Sequence, residues 1–313
     1  MFMRIFPCFL ATALWLGASV PLRAETRSPV IVVLGDSLAR GNFGAELGER
    51  FHAQAVNLGI GGQKADAIAA RFGALPVHLR LSEPELHEGA NPIAAIWPEI
   101  FRTSDTATRS THATLAGISG TYQRHGEGDP PYHDVNIFTP DPGQTLPVSM
   151  AGNVELVLDP PAPPADVLII CAGRNNHLPA DQDKVLSAIA AIVEKQRRLG
   201  GHFLVLGIPN QAGPEEARGT PAYQAIVDFN ALLSRLYGDD YVDIRAAYNA
   251  GGNPALPQDQ ADRDADVPPA SLRADHIHYN PAGRHVWAKA VGDAIAAHHW
   301  LESYANLPDK GKS

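Results

Sequence analysis

The chain has 313 residues, 45% hydrophobic and 19% charged, a size and balance that fit one globular domain with or without an insertion. Its 25 Lys and Arg stand against 34 Asp and Glu, a formal charge of -9, which leaves little to pair with phosphates and excludes a general nucleic-acid or anionic-membrane binder. The 28 Gly and 26 Pro follow no collagen-like period and point to substantial loops instead.

Residues 1–4 are a short basic start, 5–20 are almost wholly apolar, and Pro21-Leu22-Arg23-Ala24 precedes polar sequence. This pattern reads as a signal peptide over 1–24, with a mature domain over 25–313 that is secreted or periplasmic. An uncleaved anchor is the competing reading, but the apolar run falls short of a bilayer span. Cleavage removes Cys8 and leaves Cys171, so no internal disulfide is expected and the fold must rest on its apolar core.

Residues 30–34 form a continuous apolar run, as in a strand buried on both faces. Residues 55–58 are a shorter run of the same kind, 166–170 and 202–206 are two more, and 241–244 is a weaker fifth. Between them Ala65, Ile68, Ala69 and Phe72 share one helical face, as do Val185, Ile189, Ile192 and Leu199, and then Ile226, Phe229, Leu233 and Leu236. A last helix should begin at Asn280-Pro281, a cap followed by Pro at the first helical position, and bury Trp287, Val291 and Ile295. Such alternation predicts a three-layer α/β/α domain, a parallel sheet covered by helices on both sides. Ligands in such sheets sit beyond the carboxyl ends of the strands.

From about 77 to 164 the alternation breaks. Residues 114–118, 134–138, 145–148 and 153–158 read as short β pieces separated by turn-rich segments such as 126–131. We read a small antiparallel β-rich insertion between the second and third core strands, since an irregular loop of that length is unusual. Residues 251–269 read as a polar, mobile loop.

Four motifs fall where ligands are expected. Gly35-Asp36-Ser37-Leu38 follows the first strand and would aim a serine hydroxyl into the crevice, beside amides at a helix start; a simple helix cap is the other reading. Asn57-Leu58-Gly59-Ile60-Gly61-Gly62 follows the second, and glycine there frees an amide for an oxyanion, or simply makes a tight turn. A dinucleotide fingerprint is excluded, because Lys64 stands where its third glycine belongs. Gly173-Arg174-Asn175-Asn176 follows the third strand, and Asn175 is a candidate oxyanion donor or a turn residue. Asp275-His276-Ile277-His278 precedes the last helix, with a carboxylate three residues from an imidazole that it can orient.

In this order the blocks resemble the GDSL/SGNH hydrolase family, serine esterases and lipases built on a flavodoxin-like sheet of five parallel strands. The resemblance runs over the whole mature chain except the insertion. It implies Ser37 as nucleophile, His278 as base and Asp275 as its partner, with an oxyanion hole made by Ser37, Gly62 and Asn175 and no cofactor or metal. The family's third block usually ends in Asp where this chain has Asn176, a change expected to alter local support rather than abolish activity. Arg174 is a candidate contact for a polar or anionic substrate, against the plainer reading of an exposed, solvated charge. The insertion is expected to act as a lid or a polysaccharide-docking surface.

Other readings compete with this one. A metal-dependent hydrolase would use Asp275, His276 and His278, and a non-catalytic relative would bind carbohydrate through the insertion. Residues 35–39 lack the final Gly of an α/β-hydrolase elbow. Asp262, Asp264 and Asp266 mimic the start of a calcium loop, but Val267 and Arg273 occupy positions that require Gly and Glu. His298 and His299 point different ways on a helix and read as solvent-exposed. Cys171 reads as a small core residue. Export, acidity and a polar insertion favour an O-acetyl ester on a polysaccharide, with a short-chain lipid or aryl ester as the alternative. Trp97, Tyr122, Tyr132 and Phe138 would stack on sugars or form the insertion's own core. No nucleic-acid partner and no membrane insertion after cleavage are expected.

Overall fold

Five apolar runs lie side by side in one sheet in the computed structural model, which describes residues 27–103, 105–129 and 133–304. The expected signal peptide and Tyr132 lie outside the described residues. The chain enters through β1 (Val30–Gly35), α1 (Ser37–Arg40), α2 (Gly44–Phe51), β2 (Gln54–Gly59) and α3 (Ala65–Arg71). It then forms β3 (Val77–Leu81), β4 (Glu85–Leu86), β5 (Asn91–Trp97), β6 (Arg109–Leu115), β7 (Ile118–Glu127), β8 (His133–Pro140), β9 (Val148–Ser149) and β10 (Val154–Leu158). The sheet resumes with β11 (Val167–Cys171), α4 (Gln182–Arg198), β12 (His202–Leu206), α5 (Pro221–Tyr237), β13 (Tyr241–Val242) and α6 (Ile244–Ala250). After α7 (Pro257–Asp264), α8 (Pro281–Ala297) closes the fold.

The sheet order is β13-β12-β11-β1-β2, and every pairing is parallel. Side chains of β1 alternate between two cores, as strand geometry requires. Val30, Val32 and Leu34 pack with α3, α4 and α5 on one face, whereas Ile31 and Val33 pack with α2, α6 and α8 on the other. Asn280 starts α8 as expected, accepting from the Ala282 and Gly283 amides, and Trp287, Val291 and Ile295 are buried.

Several expectations need correction. Residues 55–58 belong to the edge strand β2, which is largely open to solvent rather than buried on both faces. Leu199 and Leu236 fall at or near the ends of α4 and α5 and are exposed, because each helix has already turned past the core there. The fifth strand stops at Val242, since Asp243 caps α6 by accepting from the Ala246 amide. Residues 251–269 hold α7, whose Asp259 and Asp262 are buried acceptors for the amides of Ser271 and Ala270.

Residues 77–158 form a closed barrel of order β10-β3-β5-β8-β7-β6, with antiparallel pairings, and β4 pairs with β9 beside it. Residues 114–118 are a hairpin rather than one strand. Ala116 and Gly117 both take positive φ, 48° and 85°, as a two-residue turn matching strand twist demands. Tyr122 and Phe138 are buried in the barrel, and Phe101 stacks on Tyr122 with centroids 5.6 Å apart. Trp97 stays 63% exposed on the barrel's outside. No barrel strand contributes to either core of the parallel sheet.

Candidate active site

Ser37 is the first residue of α1, directly beyond β1. The turn is set by Asp36, whose Oδ1 accepts the Leu38 amide at 2.9 Å. Asp36 is wholly buried. Burial pushes its carboxyl up to about 6, against the lowering pull of the Leu38 amide and the charges of Arg174 and His278. Ser37 itself is half-buried.

The loop after β2 packs against α1 so tightly that a Cβ on Gly59 would stand 2.1 Å from the Arg40 nitrogen. Asn57 links the two by donating from Nδ2 to the Ala39 carbonyl at 3.1 Å. Gly62 takes φ 77°, which glycine tolerates best, and lies at the surface. Gln63, beside it, is buried; its Nε2 donates to the Ile100 carbonyl and its Oε1 accepts from Arg71 Nε at 3.1 Å. Arg71 also donates to the Leu58 carbonyl at 2.6 Å and the Gly35 carbonyl at 3.3 Å. One buried guanidinium thus joins the ends of β1 and β2 and the glycine loop. Burial lowers its pKa to about 10, and it makes no ion pair with a carboxylate among the described residues.

Gly173, at φ 113°, turns the chain after β11. Asn175 then donates from Nδ2 to the Gln63 carbonyl at 3.0 Å and, at a longer 3.4 Å, to Asp36 Oδ2. Asn176 accepts the Ala65 amide at 3.0 Å and so serves the start of α3. That contact needs only an acceptor oxygen, which an amide and a carboxylate both supply. Arg174 is not a free surface charge. It is half-buried, and its Nη2 donates to Glu216 Oε1 at 2.8 Å.

The last motif is a tight loop before α8. Asp275 Oδ1 accepts the amides of Ile277 and His278, each at 2.8 Å, while Oδ2 lies 2.7 Å from His278 Nδ1. Partial burial pushes the Asp275 carboxyl up, but those amides and the imidazole outweigh it and hold it at about 2. An ionised Asp275 makes Nδ1 the donor, which leaves Nε2 as the basic nitrogen. Nε2 is shielded from solvent and has no hydrogen-bond partner among the described residues. Tyr279 brings this loop to α1, donating from Oη to the Leu38 carbonyl at 2.5 Å. No hydrogen bond joins Ser37 Oγ to His278 Nε2 among the described residues.

Sequence reading overlooked Gln63, Arg71, Tyr279 and Glu216. The only signal for Arg71 was a charge one residue before Phe72, next to the apolar face of Ala65, Ile68 and Ala69. His276 points away from its neighbours, with Nδ1 3.1 Å from the Ala212 carbonyl, and no group of three or more His, Cys, Asp or Glu among the described residues could hold a metal ion. Asp262 and Asp266 are occupied by Arg273 and by Arg245, Tyr223 and Asn249. His298 is half-buried rather than exposed, stacked on Trp300 with centroids 4.0 Å apart.

The chain is similar to GDSL-type lipases and acetylxylan esterases of known structure. A GDSL-like lipase from Bacteroides thetaiotaomicron shares 13% identity at a TM-score of 0.42, covering 86% of this chain and 88% of that one. An acetyl xylan esterase shares 14% identity at a TM-score of 0.44, over 86% of this chain and 98% of that one. A catalytic mutant of an acetylxylan esterase from Geobacillus stearothermophilus shares 12% identity at 0.44, over 87% and 96%. No family model and no curated protein matches the chain.

Proposed function

We propose that the protein is a GDSL-type serine esterase that removes short acyl groups, O-acetyl above all, from a carbohydrate outside the cytoplasm. The observation that carries this reading is His278, with Nδ1 held by an ionised Asp275, Nε2 shielded and unpartnered, and the next residue bonded to α1 beside Ser37. In the proposed reaction Nε2 takes the Ser37 proton as Oγ attacks the ester carbonyl. The backbone amides of Ser37 and Gly62 receive the oxyanion, joined by Asn175 Nδ2 when it exchanges its long contact to Asp36 for the substrate. His278 returns the proton to the leaving alcohol, and water then releases the acid from Ser37 by the same steps.

Hydrolysis of p-nitrophenyl esters from acetyl to octanoyl tests this reading, comparing wild type with Ser37→Ala, with and without chelator. Acetyl-selective activity should survive chelator and fall on the order of 10⁶-fold in the variant. Activity indifferent to the substitution would remove Ser37 as nucleophile. Loss of activity with chelator would restore the metal-dependent reading.

A further inference from the structure

Arg40 closes α1 one turn after Ser37. Side chains at this i, i+3 spacing leave a helix on the same side, with Cβ atoms about 5–6 Å apart. The Arg40 guanidinium lies flat against the glycine loop. Its Cζ, Nη1 and Nη2 stand 3.5, 3.5 and 3.7 Å from where a Cβ on Gly61 would be. Gly61 is buried although it has no side chain, while Arg40 is exposed. Nucleophile, oxyanion glycine and this cation therefore share one edge of the crevice.

Three cations, Arg40, Lys64 and Arg71, stand around the loop. Arg40 makes no ion pair among the described residues, unlike Arg174 with Glu216 or Arg284 with Glu46. From beneath, Arg71 adds a second cation with no carboxylate partner, bonded only to Gln63 and two carbonyls. The neighbouring acids are engaged elsewhere: Asp36 is buried against the Leu38 amide and Asn175, and Asp66 accepts the Ala67 amide. Lys64 adds a further exposed cation and faces Asp181. Exposed Arg40 and Lys64 beside this loop can draw an anion locally on a chain of net charge -9.

We propose that Arg40 selects esters whose alcohol carries a negative charge beside the scissile bond, the carbohydrate member of this class being an O-acetylated uronic acid. The N–H donors of Arg40 lie in the guanidinium plane, so a substrate carboxylate would be received at its outer edge, beyond Gly61, by the two-pronged donor pair that arginine offers to such groups. This inference rests on the esterase reading and narrows its substrate.

The test compares two acetyl esters of phenols, phenyl acetate and 4-acetoxybenzoate, in wild type, Arg40→Gln and Arg40→Lys. Taking the ratio of kcat/KM for the charged and neutral ester cancels any general loss of fold or activity. That ratio should fall about tenfold in Arg40→Gln, the weight of one charge-assisted hydrogen bond, and recover in part in Arg40→Lys. Rising ionic strength should erode the preference in wild type only, because the contact is exposed. On polymers, wild type should release acetate faster from O-acetylated polygalacturonate than from acetylated xylan. An unchanged ratio in Arg40→Gln, or equal rates on the two polymers, would overturn the inference while leaving the esterase reading standing. No hydrolysis of any ester by wild type would overturn both.

Discussion

A carboxyl removed from water keeps its proton longer than the same group in the unfolded chain, and Asp36 is such a group, raised from 3.8 to about 6. Between those values the folded protein binds the proton more tightly than the unfolded one. Stability from this group is therefore greatest at low pH, declines as pH rises toward 6, and is flat above. Asp36→Asn should remove that decline, so its denaturant midpoint relative to wild type should be more favourable at pH 7 than at pH 4. The same change sets an amide donor against the Asn175 donor, and turnover on p-nitrophenyl acetate should fall by about 10². Asp275 behaves oppositely. Held at about 2, it stays ionised through the working range, so the acid limb of the activity profile should not follow its titration. Asp275→Asn should cost on the order of 10⁴ in kcat, less than loss of Ser37. At position 176 only an acceptor is needed. Asn176→Asp should keep stability, whereas Asn176→Leu should lose about 1 kcal/mol in urea melts, as a lost cap does.

The C-terminal helix α8 carries more of the site than its sequence position suggests. Trp287 on α8 is fully buried against Phe43, Tyr248 and Tyr279, with ring centroids 5.6, 6.0 and 5.1 Å away. Those rings come from the stretch after α1, from α6 and from the residue after His278, so α8 holds both halves of the candidate site in one core. Trp287→Ala should destabilise by about 3–5 kcal/mol, read from chemical denaturation. Tyr279→Phe is subtler. It removes the bond to the Leu38 carbonyl, which should cost about 1 kcal/mol of stability. Because that bond sets His278 relative to Ser37, kcat should fall while KM holds.

At the scale of the molecule, a parallel-sheet domain and a barrel meet at a narrow seam. The parallel sheet has two apolar clusters of its own and the barrel has a third, which among the described residues draws only Ile60, Ala70 and Leu75 from the sheet region. Replacing residues 77–158 with a flexible linker should therefore leave a protein that melts cooperatively. The Ile100 contact to Gln63 would be lost, and with it the outer support of the glycine loop. Selectivity between polymeric and small esters should change; unchanged selectivity would show that the barrel neither covers nor docks the substrate.

Local chemistry in the chain made much of this legible. Runs such as 30–34 and 202–206 marked strands because parallel sheets need apolar residues on both faces, and Asn280-Pro281 marked a helix start because a cap and a fixed φ act within a few residues. The four motifs were visible for the same reason, as each is a contiguous turn at the end of an element. The sequence pattern could not show that 114–118 is a turn inside a barrel, since closure depends on which strands find each other across dozens of residues. Nor could it show that Arg174 meets Glu216, that Tyr279 reaches α1, or that Arg71 lies buried beneath the glycine loop. Those contacts join residues far apart in the chain, and their energies exist only once hydrophobic packing has excluded water and brought the partners together.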